Sequence, residues 1–124
     1  PATLPAGVLM YEIAGPLFFG AAQRAMSALK VTGDGVRVVL IDMRSVPVMD
    51  ATGLVNLESA LDRIRRLGAF VVLGGVQQQP LHTIGRAGWG SHHAWLTVTA
   101  DFQHALQVAR ERAELPQTAS PAAH

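Results

Sequence analysis

The feature that most constrains the fold of this chain is a junction between a buried strand and an amphipathic helix. Residues 36–42 form an apolar run rich in β-branched side chains, and such a run predicts a buried strand. Aliphatic side chains then recur at helical spacing over residues 51–67, at Leu54, Leu57, Leu61 and Ile64. A strand joined to a helix in this way is typical of α/β folds.

The loop at this junction supplies the candidate functional residues. They are Met49, Asp50, Ala51, Thr52, Gly53 and Leu54. Asp50 stands just before the predicted helix, where its carboxylate is placed to accept a hydrogen bond from an unpaired N–H group of the first turn. The sequence leaves open whether Asp50 is only this cap or has a further functional role. Packing of the helix gives the loop a rigid base, on which functional loops are commonly built.

Strands and helices alternate along most of the chain. Strands are predicted at residues 8–14, 36–42, 69–73 and 95–98, with a short extended piece at residues 17–19 after the turn at Gly15 and Pro16. Helices are predicted at residues 21–31, 51–67 and about 80–87, and a last helix follows Thr99, its predicted cap. This order predicts an α/β sheet with right-handed crossovers.

The last two predicted helices also have a predicted inward face. In the short helix the inward residues are predicted to be Leu81, Ile84 and Ala87. In the last helix the predicted apolar stripe is Phe102, Ala105, Leu106, Ala109 and Ala113.

Length and composition predict one domain and exclude several classes of protein. The chain has 124 residues, of which 49% are hydrophobic, and this content is ample for a single core. It has no cysteine, which excludes disulfides and thiolate chemistry. Ten basic and nine acidic residues nearly cancel, so we expect no nucleic-acid partner. The predicted core covers about residues 6–114, and residues 115–124 are predicted to be a flexible tail.

The sequence carries no pattern typical of a membrane span. Its most apolar region, residues 6–22, is interrupted by Glu12, Gly15 and Pro16, whereas a span needs roughly 20 continuous apolar residues. The chain begins with Pro1 rather than methionine. We interpret it as a piece of a longer protein, although a processed terminus would look the same.

No motif predicts a catalytic, cofactor-binding or metal-binding residue. His92 and His93 are adjacent and lack zinc-ligand spacing, and no serine lies in a nucleophile elbow. Asp42 and Asp50 are both predicted near one end of the sheet, but a carboxylate pair needs a third group and a cleft to act as a catalytic site. Trp89 and Trp95 are interpreted as cover for the edges of the core, with an exposed aromatic patch as the alternative.

With these residues assembled, the chain resembles a STAS domain, the fold shared by sulfate transporters and anti-sigma-factor antagonists. The resemblance covers about residues 6–114. It rests on the segments at residues 5–11, 15–20 and 46–54, and continues through residues 67–69, 80–81 and 86–88. The Gly-Pro-Leu-Phe-Phe segment and the Asp-Ala-Thr-Gly segment resemble the SulP-type anion permeases more than the soluble antagonists.

The resemblance implies a mostly parallel sheet of about four or five strands with about four helices. It also implies a regulatory and protein-interaction domain rather than an enzyme, lying on the cytoplasmic face of the cell membrane as the C-terminal part of a transporter. The implied partner is the membrane-spanning part of the same transporter, with other cytosolic proteins and a homodimer left open. No cofactor is implied.

The alternative reading is a free-standing anti-sigma-factor antagonist. In those proteins a partner kinase phosphorylates a serine or threonine directly after the aspartate of the junction loop. Here that position is Ala51, which has no hydroxyl group, and Thr52 lies one position further on. The chain therefore departs from the switch pattern at its central residue, and residues 49–54 are predicted to form a constitutive contact surface.

Overall fold

The computed structural model describes residues 4–18, 24, 35–89 and 94–115. In these ranges the strands are β1 (Val8–Ala14), β2 (Val38–Ser45), β3 (Phe70–Gly74) and β4 (Leu96–Val98). The helices are α1 (Ala51–Arg66), α2 (Gln78–Arg86) and α3 (Phe102–Glu114). The predicted helix over residues 21–31, apart from Arg24, lies outside the described residues, as do Phe19, both histidines of the His92–His93 pair and residues 116–124.

All four described strands are parallel and lie side by side in the order β1-β2-β3-β4. The predicted α/β class with a parallel sheet is confirmed. Parallel sheets require helical crossovers, which cover their faces and make the central strands apolar on both sides. The first six residues of β2 are buried, all of them apolar except Asp42, and Arg44 and Ser45 at its carboxyl end are exposed.

The sheet separates two apolar clusters. On one face, the leucines and Ile64 of α1 pack with Ile84 of α2 against the side chains of Val39, Ile41 and Met43. On the other face, α3 packs its alanines against Val38, Leu40 and Val72. A Cβ atom at Gly74 would lie 2.7 Å from the Cβ of Ala105, so small residues on both sides allow α3 to approach the sheet closely.

Several predicted boundaries and faces differ from the structure. β2 runs three residues past Asp42 because β1 also continues, and Ala14 pairs with Ser45 beyond an irregularity. Thr99 is not the cap of α3. Its N–H still donates to the carbonyl of Leu73, so the chain is still extended there, and Asp101 is the cap instead.

The predicted inward face of α2 is wrong at two of its three positions. Leu81 and Ala87 are exposed, and Ile84 is buried together with Pro80, four residues before it. In α3 the three alanines are buried, while Phe102 and Leu106 are half-buried and pack at the edge of the same cluster.

Among the described glycines, Gly53 has the least room for a side chain. A Cβ atom at this position would lie 2.0 Å from the carbonyl oxygen of Leu17 and 3.2 Å from the Cγ of Met49. Because the oxygen belongs to the backbone, it is not free to move aside as a flexible side chain would.

We therefore expect Gly53→Ala to destabilise the protein by about 1–3 kcal/mol, the usual cost of overpacking, although alanine favours helices. Denaturant unfolding measures this as a lower midpoint. The matched control is Gly85→Ala, also inside a helix, where an added Cβ meets no atom within 4 Å. That control should gain about 0.4–1 kcal/mol. Equal gains in both variants would contradict the close approach.

Candidate functional site

The candidate loop lies beyond the carboxyl end of β2, at the start of α1. Ligand and partner sites of open α/β sheets commonly lie at this edge, because the loops that follow parallel strands converge there. The loop is flanked on one side by the segment around Leu17 and on the other by α2.

The backbone of Met49 is held by two side chains of α2. Its N–H donates to the Oε1 of Gln79 over 2.7 Å, and its carbonyl accepts from the Nε2 of Gln79 at 3.2 Å and from the Oγ1 of Thr83 at 3.3 Å. Gln79 and Thr83 also bond each other, with 3.1 Å between Nε2 and Oγ1. The side-chain amide of Gln79 thus pairs with both the backbone N–H and the backbone carbonyl of Met49, as a neighbouring strand would.

Leu17 holds the loop from the other side. Its N–H donates to the carbonyl of Val48 over 3.0 Å, and its carbonyl accepts from the N–H of Asp50 over 3.3 Å. These bonds form a parallel bridge between Leu17 and Met49, and both side chains are fully buried. The short extended piece predicted after the Gly15-Pro16 turn therefore exists at Leu17 and serves to fix the loop.

Asp50 is the helix cap that the sequence predicts. Its Oδ1 accepts from the N–H of Gly53 over 2.7 Å, and its carbonyl accepts the first helical bond, from the N–H of Leu54, over 3.0 Å. Asp50 itself is exposed. A further role for this carboxylate stays a prediction.

Only part of the predicted contact surface reaches solvent. Asp50 and Ala51 are exposed and Thr52 is half-buried, whereas Met49, Gly53 and Leu54 are buried. The carbonyl of Thr52 accepts from the Nδ2 of Asn56 over 3.2 Å. The buried residues position the exposed ones, so the surface available to a partner begins at Asp50 and Ala51.

A cleft of about 490 Å³ lies between this loop and α2. Asp50 and Ala51 line one wall, and His82 and Arg86 line the other. No motif in the sequence marks the α2 residues of this site, namely Gln79, His82, Thr83 and Arg86. Their only signal is polar spacing on one face of a short helix, which does not reveal the loop that the helix meets.

The structure places Asp42 away from Asp50. The side chain of Asp42 lies on the α3 side of the sheet and is bound by Arg44, with 2.9 Å between the Nη2 of Arg44 and the Oδ2 of Asp42. The guanidinium of Arg44 also stacks on the ring of Phe102, 3.7 Å from its centroid. Asp50 caps α1 on the opposite face, so the two carboxylates do not form a pair.

The pKa of Asp42 is lowered from its ordinary value. Burial, the largest single influence, raises the pKa, because it disfavours the charged carboxylate. The side-chain and backbone hydrogen bonds from Arg44, together with its charge, outweigh burial. Asp42 is therefore a charged carboxylate that holds Arg44 in place, rather than an acid with a raised pKa.

Trp89 and Trp95 line a small second pocket of about 160 Å³, together with Glu58, Leu61 and Leu96. Trp89 is buried at the core, and Trp95 is half-buried with the guanidinium of Arg65 5.5 Å from its ring centroid. Among the described residues, no group of three or more histidine, cysteine, aspartate or glutamate side chains is placed to hold a metal ion. No helix in that same part of the chain is long and apolar enough to cross a membrane.

The sequence matches a family profile and a curated relative, and both matches cover most of the chain. The family profile described as "STAS domain" matches residues 2–99. The putative sulfate transporter YvdB of Bacillus subtilis is 30% identical over 100 residues, which is 73% of this chain. That alignment spans only 19% of the relative's length.

Solved structures are similar over most of the chain. A sulfate transporter family protein from Wolinella succinogenes aligns with a TM-score of 0.76 and 31% identity, covering 92% of this chain and 93% of the other. The STAS domain of a SulP transporter from Vibrio cholerae aligns with a TM-score of 0.64 and 27% identity, covering 86% and 84%. The murine anion transporter Solute Carrier 26 family member A9 aligns at 0.71 and 19% identity over 89% of this chain and 19% of its own, which supports the fold.

The cap at Asp50 allows a direct test of the loop's construction. We expect Asp50→Ala to lower the free energy of unfolding by about 0.5–2 kcal/mol, because the N–H of Gly53 loses its acceptor. A denaturant melt should show a lower midpoint with an unchanged slope. The control Asp50→Asn keeps an oxygen that can accept this bond and should stay close to the parent. An unshifted midpoint in Asp50→Ala would mean that the cap contributes nothing.

Proposed function

Because the chain belongs to the STAS domain family, we propose that it is the non-catalytic, regulatory and protein-interaction domain of a SulP-type anion transporter. The proposal is supported by its similarity to a putative sulfate transporter and to a SulP transporter STAS domain. In this proposal the domain lies on the cytoplasmic face of the membrane, and its main partner is the membrane-spanning part of the same transporter.

The observation that carries the proposal is the construction of the junction loop. Gln79, Thr83 and Leu17 hold the backbone at Met49 and Asp50 from two sides, and Asp50 caps α1. A loop fixed in this way presents one conformation, and a preformed surface binds without the entropic cost of ordering a flexible segment. Asp50 and Ala51 at the wall of the cleft are the exposed part of this contact surface.

The chemistry of the exposed position favours a constitutive contact. Ala51 has no oxygen to accept a phosphoryl group, although a phosphate on the first turn of a helix is electrostatically favourable. Thr52 has a hydroxyl group and is half-buried. The alternative, a phospho-switched antagonist, is favoured by that one hydroxyl alone, and a phosphate there would also lie close to the carboxylate of Asp50, which opposes it.

A pair of matched variants in the full-length transporter tests the proposed contact. Ala51→Arg places a large cation on the contact surface, and an unmatched interfacial charge should weaken the contact by on the order of a few kcal/mol. We expect sulfate uptake into cells or proteoliposomes to fall, with no change in the stability of the domain. Ser59→Arg, an exposed position on the same helix two turns further along, is the control and should leave uptake unchanged. Equal uptake in both variants would contradict the proposed contact.

A further inference from the structure

The edge at which the strands begin carries a separate group of charged side chains. Because the described strands are all parallel, α1 and α3 run back along the sheet and end at this edge. We call its exposed and half-buried cationic and apolar residues the amino edge. They are Arg37, Arg63, Arg65, Arg66, Leu67, Arg112 and Leu115.

Contacts between the elements place these residues together. The guanidinium of Arg37, at the start of β2, donates to the carbonyl of Leu115 at the end of α3. The guanidinium of Arg112 lies over the ring of Phe70, 4.0 Å from its centroid, and the N–H of Phe70 donates to the carbonyl of Arg37. α1 joins the same edge, because only residues 67–69 separate its end from Phe70.

Charge is distributed unevenly between the two edges of the sheet. The amino edge has five arginines, with three carboxylates nearby, at Asp62, Glu111 and Glu114. The carboxyl edge has four carboxylates, at Glu12, Asp42, Asp50 and Asp101, with two arginines, at Arg44 and Arg86. The formal charge of the whole chain is only +1, so this is a separation of charge along the strand direction rather than an excess.

Stabilisation of helix ends accounts for only part of this arrangement. Cations at a helix C-terminus interact favourably with the helix dipole, and Asp62 forms ion pairs with Arg65 and Arg66. Neither effect explains why large apolar side chains stay exposed beside these arginines. Leu67 is 61% exposed and Leu115 is 47% exposed. Arginines next to exposed leucines are typical of surfaces that bind at a membrane interface.

We propose that the amino edge lies against a membrane surface and binds the phosphate groups of anionic lipids. Guanidinium groups bind phosphate through paired hydrogen bonds, and an anionic leaflet attracts arginines that lie close to it. Residues 4–7 lead into β1 at this same edge. The inference rests on the proposed function here, because a membrane-spanning segment preceding those residues would hold the amino edge near the bilayer.

Vesicle sedimentation of the 124-residue chain tests the inference. The chain is mixed with vesicles of pure phosphatidylcholine or of equal parts phosphatidylcholine and phosphatidylglycerol, at low and at physiological salt. We expect partitioning to the anionic vesicles to exceed that to the neutral vesicles by roughly tenfold at low salt and to fall as salt screens the charges. Equal partitioning to both kinds of vesicle would overturn the inference.

Matched arginine variants locate the surface. Arg66→Gln should reduce partitioning to anionic vesicles by roughly fivefold, and the Arg63→Gln/Arg66→Gln double variant should reduce it further. Arg86→Gln removes the same charge from the last turn of α2, outside the amino edge, and should leave partitioning unchanged. An equal loss in Arg66→Gln and Arg86→Gln would show that net charge alone governs binding and would overturn the assignment.

Three further outcomes separate this inference from its competitors and from the proposed function. Duplex DNA bound as tightly as anionic vesicles, and lost in the same variants, would identify a general polyanion surface and overturn the lipid assignment. Vesicle binding that fails while uptake stays sensitive to Ala51→Arg would refute the lipid surface alone. If the chain binds vesicles but Ala51→Arg leaves uptake unchanged, the proposed contact is refuted and the lipid surface stands.

Discussion

The backbone contact between Leu17 and the start of α1 is the constraint on which the rest of the site depends. The carbonyl of Leu17 accepts from the N–H of Asp50 and lies where any side chain larger than hydrogen at Gly53 would collide with it. This contact requires glycine in the first turn of α1 and fixes the end of the loop. The aspartate cap then starts the helix in the register that buries Leu54 and Leu57.

Leu17 and α2 hold the loop from opposite sides. With Leu17 on one flank, α2 needs only Gln79 and Thr83 to satisfy the buried backbone groups of Met49. The backbone N–H and carbonyl of Met49 are buried without loss of free energy, because each has a hydrogen-bond partner. The proposed contact surface is therefore small, and it lies at the carboxyl edge, whereas the arginine-rich amino edge lies at the opposite end of the strands.

Local sequence patterns predict most of the strands and helices. The features that they do not predict depend on contacts between residues far apart in the chain. The strand-to-helix order and the cap at Asp50 follow from periodicity and from the chemistry of helix ends, both of which depend on a few neighbouring residues, whereas the mostly parallel sheet is what the resemblance to STAS domains implies. The Gln79 clamp on Met49 joins residues 30 positions apart, and no local pattern marks it. The hydroxyl group of Thr99 suits a helix cap and predicts one there, but the hydrogen bond to β3 keeps its backbone extended.

We propose that the loop over residues 49–54 is a constitutive contact rather than a phosphorylation switch. The most direct measurement is phosphosite mapping by mass spectrometry after the chain is incubated with lysate of its source cell and ATP. An Ala51→Ser variant, which restores a hydroxyl directly after Asp50, reports whether the lysate contains a kinase for that position. We expect no stoichiometric phosphate on the parent chain. Stoichiometric phosphate on Thr52, lost in Thr52→Val, would contradict it.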